Sequence, residues 1–328
     1  MRIKKTATIF CMCLGYGLVS LFTAYSLIQK HDKERKSQID DKATRNIQNH
    51  NNQPTKWKSN YTRQHLEIID PSGVGMYLWK HILQTDIPEY ANEGWQQSQI
   101  VTKNFKIRYN LGYGLVPEQM VAIHDENILL ALNGRDELVA AHAKRWLDYA
   151  LKLPNLRNLG LLLIGDETCN NQWLKAYLNH AILRVVFLVY ESPMVDNKRI
   201  FQWPLGVASY RNFPLVNLET LDVSKKRLYI CNFIGTTYAN SSRLELKQES
   251  LSMMNSSKCI FKWRDSWLTE ETAETSVFYQ HALRNSDLTL SPVGKNAECY
   301  RTYEALEFGS IPVIEDKVPE TCQNSNLS

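Results

Sequence analysis

Asn127-Ile-Leu-Leu-Ala-Leu-Asn-Gly-Arg-Asp136, then Glu137–Leu153, then Leu159-Gly-Leu-Leu-Leu-Ile-Gly-Asp-Glu167 is the stretch that sets the fold class. Its two flanking runs are short and continuously apolar, the pattern of parallel strands covered on both faces. Between them Leu138, Ala141, Trp146 and Ala150 recur at helical spacing. Strand, helix, strand is the βαβ unit of a doubly wound sheet. Val185–Tyr190 adds another apolar run, ending at Glu191-Ser-Pro193, and Met76–Leu83 reads as an amphipathic helix upstream.

A second series starts near Arg227. Leu228–Ile234 runs into Gly235-Thr-Thr237, with a helix expected from about Ser241. Asp287–Pro292 leads through Val293-Gly-Lys-Asn296 into a helix over Ala297–Phe308, with Gly309 placed to cap it. Ile311–Ile314 is the next strand. No period repeats, which excludes a solenoid. The expected architecture is α/β, with one Rossmann-like domain over residues 71–225 and a second over 226–328.

The 328 residues suit two domains of ordinary size. An apolar fraction of 44% and a net charge of +4 fit a folded protein and exclude the concentrated basic stripe of a nucleic-acid binder. Five cysteines beyond the N-terminal segment (Cys169, Cys231, Cys259, Cys299 and Cys322) form no C-x-x-C pair and have no His at ligand spacing, so no metal site is expected. They allow one or two disulfides with an odd thiol left over, in pairings that spacing does not reveal.

Between Lys5 and Lys30 no residue is charged, a run long enough for a membrane-spanning helix and longer than a cleaved leader's core. The N-terminus therefore reads as a tail over residues 1–5, a signal-anchor over 6–29 and a polar stem over 30–70. Sequons at Asn60, Asn240 and Asn255 fit a luminal C-terminal part, hence a single-pass type II membrane protein.

The Asp287–Asp316 unit is the place for chemistry, because a strand, a Gly-containing loop and a helix start combine free backbone N–H groups with a positive helix end. Gly294 and Lys295 suit a diphosphate, and Glu298, Arg301 and Glu304 recur every three residues as a polar stripe. A guanidinium can hold phosphate oxygens at two points, and a carboxylate can grip sugar hydroxyls. The plain alternative is a solvated helix with Glu–Arg pairs three residues apart. His81 and His124 read as structural.

Ser286-Asp-Leu-Thr-Leu-Ser-Pro-Val-Gly294 and Glu298-Cys-Tyr-Arg-Thr-Tyr-Glu304 resemble the nucleotide-sugar half of exostosin-type transferases. Phe201-Gln-Trp-Pro-Leu-Gly206, Cys231-Asn-Phe-Ile-Gly-Thr-Thr237 and Leu132-Asn-Gly-Arg135 are similar to the animal ribitol-5-phosphate xylosyltransferases. That resemblance, over about Gly75–Asp316, implies a GT-B fold, two Rossmann-like domains facing across a cleft. It implies UDP-xylose as donor and a ribitol 5-phosphate unit on the O-mannosyl glycan of α-dystroglycan as acceptor. It also implies a Golgi membrane location beside other Golgi glycosyltransferases, inversion by one displacement, and no required cofactor. Such chains run on well past Ile311–Ile314, so the second domain is expected to be incomplete here, with an open apolar sheet edge.

Within that frame Gly294, Lys295, Arg301, Glu304 and Arg243 are donor-site candidates, and Arg135 and Arg211 are acceptor-phosphate candidates. Asp166, Glu191 and Asp136 are candidates for the base, since each follows a strand where ligands of open α/β sheets gather. A carboxylate there also serves as a cap or turn former. Two other readings stay open: a different exostosin-type transferase, or an inactive transferase-like assembly partner.

Overall fold

Two parallel sheets grow from the two series. The first holds β1 (Gln64–Asp70), β2 (Gln96–Val101), β3 (Phe105–Leu111), β4 (Asn127–Asn133), β5 (Asn158–Ile164), β6 (Leu183–Leu188) and β7 (Ile200–Gln202). Their order is β2-β3-β1-β4-β5-β6-β7, with β2 alone antiparallel to its neighbour. The second holds β8 (Tyr229–Thr236), β9 (Cys259–Arg264), β10 (Ser286–Ser291) and β11 (Ile311–Ile314), all parallel, in the order β11-β10-β8-β9. This computed structural model describes residues 63–86, 94–120, 125–217, 219, 221–253, 258–268, 270–316 and 322, all within one unit of the chain, residues 61–328. The expected tail and anchor, the stem up to residue 62, and the sequons at Asn60 and Asn255 lie outside the described residues, as does His124. No helix among the described residues is long and apolar enough to cross a membrane.

Helix α1 (Glu137–Ala150) starts where the Asp136 carboxylate accepts the Val139 N–H at 3.1 Å. It buries Ala140, Ala143, Trp146, Leu147 and Ala150 against Leu130, Leu132, Leu161 and Leu163 of β4 and β5. The expected apolar face was half right. Leu138 is 82% exposed and Ala141 is exposed too, because the bulky Trp146–Leu147 pair sets the phase.

The stem boundary at residue 70 is corrected. Gln64–Asp70 is a strand between β3 and β4, in parallel register with both. Its Gln-His-Leu-Glu sequence looks like solvated chain, yet Glu67 is 5% exposed. Glu67 is held by the Arg108 guanidinium at 2.9 Å and the Asn110 amide at 2.9 Å, partners some forty residues away. Helix α2 (Ser242–Met253) matches the expected start closely, α3 (Ala273–Asn285) follows, and α4 (Tyr300–Glu307) begins three residues later than expected, leaving Glu298 in the loop before it. Cys231–Cys259 joins β8 to β9, and Cys169–Cys322 joins the turn after β5 to a residue 153 positions on.

Tyr77–Ile82 winds as a single π-helical stretch and places His81 against Tyr77 and Phe213. Burial, with Lys80 nearby, lowers the His81 pKa from 6.5 to about 4, and its Nδ1 has no hydrogen-bond partner. The unfolded chain therefore binds a proton that the folded chain refuses. Stability from this group is full above pH 6.5 and is lost as pH falls towards 4. His81→Gln should flatten that acid loss in denaturant melts run across the window; an unchanged slope would exclude His81 as its source.

Candidate functional site

In each sheet the chain changes direction once. The first sheet is laid down to one side as β1 and β3, then to the other from β4, so its switch point lies between β1 and β4. The second sheet behaves likewise between β8 and β10. Ligands of open α/β sheets bind beyond the strand C-termini at such points. Here both switch points open onto one cavity of about 850 Å³. Ser72 and Gly73 after β1 and Arg135 and Asp136 after β4 line one wall; Gly235 and Thr236 of β8 and Lys295 and Asn296 after β10 line the other.

Two guanidiniums dominate the second wall. Arg301, 6% exposed, donates Nη2 to the Ile234 carbonyl at 2.9 Å and lies 4.6 Å over the Phe233 ring. Arg243, 8% exposed, donates to the Thr236 carbonyl at 3.2 Å and the Pro292 carbonyl at 3.3 Å. The Cys299 Sγ lies between them, 3.9 Å from Arg243 and 3.7 Å from Arg301. Their partners are carbonyls, a thiol and aromatic rings rather than carboxylates. Burial and the charge of Arg301 lower the Arg243 pKa, and Arg301 Nε has no hydrogen-bond partner. Two close cations are costly in low dielectric, a cost that the nearby Glu304 carboxyl offsets in part, and they suit an anion.

Glycine is required at two positions here by close approach. A Cβ on Gly235 would sit 2.3 Å from Arg301 Nη2, and one on Gly294 would sit 2.7 Å from Arg243 Nη2. Gly294 itself is no part of the cavity lining; it seats Arg243. Lys295 is exposed at the rim.

Glu298 and Glu304 line the cavity and are held by the protein's own donors rather than by solvent. Glu304, 5% exposed, accepts the Ala208 N–H at 3.0 Å and the Tyr279 hydroxyl at 2.6 Å. Glu298 accepts the Leu205 N–H at 2.9 Å and the Tyr303 hydroxyl. Burial pushes both carboxyls above the usual range. The polar stripe thus fastens α4 to the strap Pro204–Ala208 that leaves the first sheet. The stripe is buried because a second chain segment lies over it, which spacing alone cannot show.

The proposed acceptor residues divide. Arg135 is half-buried in the cavity wall, with Nε 3.6 Å from Glu167 and no hydrogen-bond partner. Arg211 lines the same cavity but is already engaged. It pairs with Glu271 at 3.3 Å, donates to the Leu268 carbonyl and lies between the Tyr210 and Trp267 rings at 5.3 and 5.1 Å. It ties the strap to the loop after β9.

The three candidate bases also divide. Asp136 caps α1, and Asp166 accepts the Thr168 N–H at 2.6 Å and the Thr168 hydroxyl, as a turn former does. Both line the cavity, whereas Glu191 does not. Glu167, next to Asp166, lines it too and was not singled out from the sequence, though the same Gly165-Asp-Glu turn carries both. Its backbone carbonyl accepts the buried Asn296 amide at 2.9 Å, a tie between the two walls. Of the sequons, Asn240 is exposed with φ +54°, and the Ser242 hydroxyl donates to Glu315 at 2.7 Å.

Two domain families match the chain. The RXYLT1 N-terminal domain matches residues 66–204 and the RXYLT1 C-terminal domain matches residues 210–328. Similar curated proteins carry the name ribitol-5-phosphate xylosyltransferase 1. The protein from Danio rerio is 41% identical over 80% of this chain and 62% of its own. That from Mus musculus is 40% identical over 76% and 58%. That from Homo sapiens is 37% identical over 80% and 60%. The chain thus spans about three fifths of the length of these relatives. A solved futalosine hydrolase mutant of Helicobacter pylori aligns at a TM-score of 0.18 and 11% identity over 76% of this chain and 85% of its own, and bears no argument. The two domain matches run consecutively through both sheets, with the cavity between them, and this chain belongs to the ribitol-5-phosphate xylosyltransferase 1 family.

Proposed function

We propose that this protein is a glycosyltransferase of GT-B type that moves xylose from UDP-xylose to a ribitol 5-phosphate unit, on the O-mannosyl glycan of α-dystroglycan, with inversion. The observation that supports it most is the meeting of two topological switch points over one cavity, with Arg243 and Arg301 on one wall and Arg135 on the other. The paired guanidiniums, with Lys295 at the rim, suit the diphosphate of a nucleotide sugar. They offset the negative charge that grows on the departing diphosphate as the sugar bond breaks. Arg135, with Tyr190, Tyr300 and Tyr210 close enough to act on its charge, suits a phosphate-bearing polyol. In this reading no metal is required, and the membrane anchor and Golgi lumen are the setting.

The test is transfer by the full-length protein to a ribitol 5-phosphate acceptor from a panel of nucleotide sugars, with and without EDTA. UDP-xylose should be the preferred donor and EDTA should leave the rate unchanged. Preference for another sugar would sink the donor assignment. Loss of transfer in EDTA would sink the metal-free reading. An acceptor lacking its phosphate should be used poorly; equal use would remove Arg135 from the acceptor site.

A further inference from the structure

Six carboxylates line the cavity: Asp136, Asp166, Glu167, Glu271, Glu298 and Glu304. Five have fixed structural duties. Asp136 caps α1, and Asp166 closes its own turn. Glu271 takes both guanidinium nitrogens of Arg264, with Arg211 and the Thr275 hydroxyl added. Glu298 and Glu304 hold the backbone N–H groups of Leu205 and Ala208. Glu167 differs. Its side chain is 24% exposed, it meets Arg135 only at 3.6 Å, and it accepts the Tyr190 hydroxyl at a long 3.3 Å. Those contacts are loose enough to exchange when a ligand enters.

We infer that Glu167 is the general base of the transfer, and that the acceptor's own phosphate frees it for that role. This rests on the xylosyl-transfer reading above. The cavity places Arg135 beside Glu167, with its Nε lacking a hydrogen bond. An acceptor phosphate is the stronger partner for that guanidinium, since phosphate accepts two parallel hydrogen bonds from the fork. Once Arg135 turns to the phosphate, Glu167 gives up its 3.6 Å contact and is open to another partner. Its carboxylate then takes the proton of the acceptor hydroxyl, and the oxygen forms its bond to the anomeric carbon. The bond from that carbon to the diphosphate oxygen breaks, and its electron pair leaves with UDP. Every atom and charge is then accounted for, with no further reactant.

The backbone adds a link to the donor. The Asn296 side chain, 4% exposed and on the loop between Lys295 and Arg301, donates to the Glu167 carbonyl at 2.9 Å. The base is thereby registered against the loop facing the diphosphate, an arrangement suited to in-line attack.

The test compares the full-length parent, E167Q and, as a carboxylate outside the cavity lining, E191Q, each checked for an unchanged melt. Transfer kinetics and UDP affinity by calorimetry are measured on all three. E167Q should cut kcat by about 100- to 10,000-fold, the usual contribution of a positioned base, with UDP affinity unchanged. It should also lose the acid limb of the parent's kcat–pH profile, while E191Q keeps both rate and limb. A kcat for E167Q within about tenfold of the parent would overturn the assignment. So would a matching loss of UDP affinity, which would make Glu167 a brace for the donor loop. A parent that transfers a different sugar refutes the donor reading alone, and Glu167 is then judged in the same assay with that sugar.

Discussion

Replacing Arg301 by alanine is expected to weaken UDP binding by about 1.5–3 kcal/mol, roughly 10- to 150-fold, the range for hydrogen bonds to charged groups. The guanidinium is already in place without ligand: Nη2 is fixed on the Ile234 carbonyl, and the ring of Phe233 lies under the plane. Little side-chain entropy therefore remains to be lost when an anion arrives, so most of the interaction appears as affinity. Arg301→Lys should recover only part of it, since an ammonium keeps the charge and loses the two-point fork. Gly235→Ala is the independent check, because its Cβ would fall 2.3 Å from Nη2 and push the fork off the carbonyl without touching the charge. Calorimetry on the three folded variants decides. If all bind UDP like the parent, Arg301 has no part in the donor site.

The second large effect is expected at Asp70, which carries no direct chemistry. Its carboxylate is fully buried and accepts five hydrogen bonds. Oδ1 takes the Ser72 N–H and hydroxyl and the Gly73 N–H; Oδ2 takes the Gly75 N–H at 2.8 Å and the Tyr109 hydroxyl at 2.6 Å. Burial pushes its pKa up, and the donors around it work against that rise. Asp70→Asn is nearly isosteric but turns one oxygen into an amide donor that faces donors. Two buried groups left unsatisfied at about 1–3 kcal/mol each should cost roughly 2–6 kcal/mol in total. The melting temperature should then fall by roughly 4–24 °C. The turn it pins carries Ser72 and Gly73 into the cavity wall, so the acceptor KM should rise before kcat changes. An Asn variant that melts with the parent would show that the turn holds without the charge.

The apolar runs Ile128–Leu132 and Leu159–Ile164, the capping Asp136 and the turn-forming Gly165 determined by themselves that this chain builds parallel sheets with strand ends rich in polar residues. The same local logic reached Arg135, Arg243, Lys295 and Arg301, all of which line the cavity. It stopped where a residue's role depends on a distant partner. Gln64–Asp70 reads as solvated stem until Arg108 and Asn110 supply partners for Glu67. Glu298 and Glu304 read as a polar stripe until the strap at Leu205–Ala208 covers them. Glu167 stands out from Asp166 only when its neighbour is seen to spend its oxygen on Thr168. Periodicity and caps are set by near neighbours along the chain, so sequence carries them. Which carboxylate is tied down and which is left free depends on contacts between segments up to about a hundred residues apart, and only the folded chain decides those.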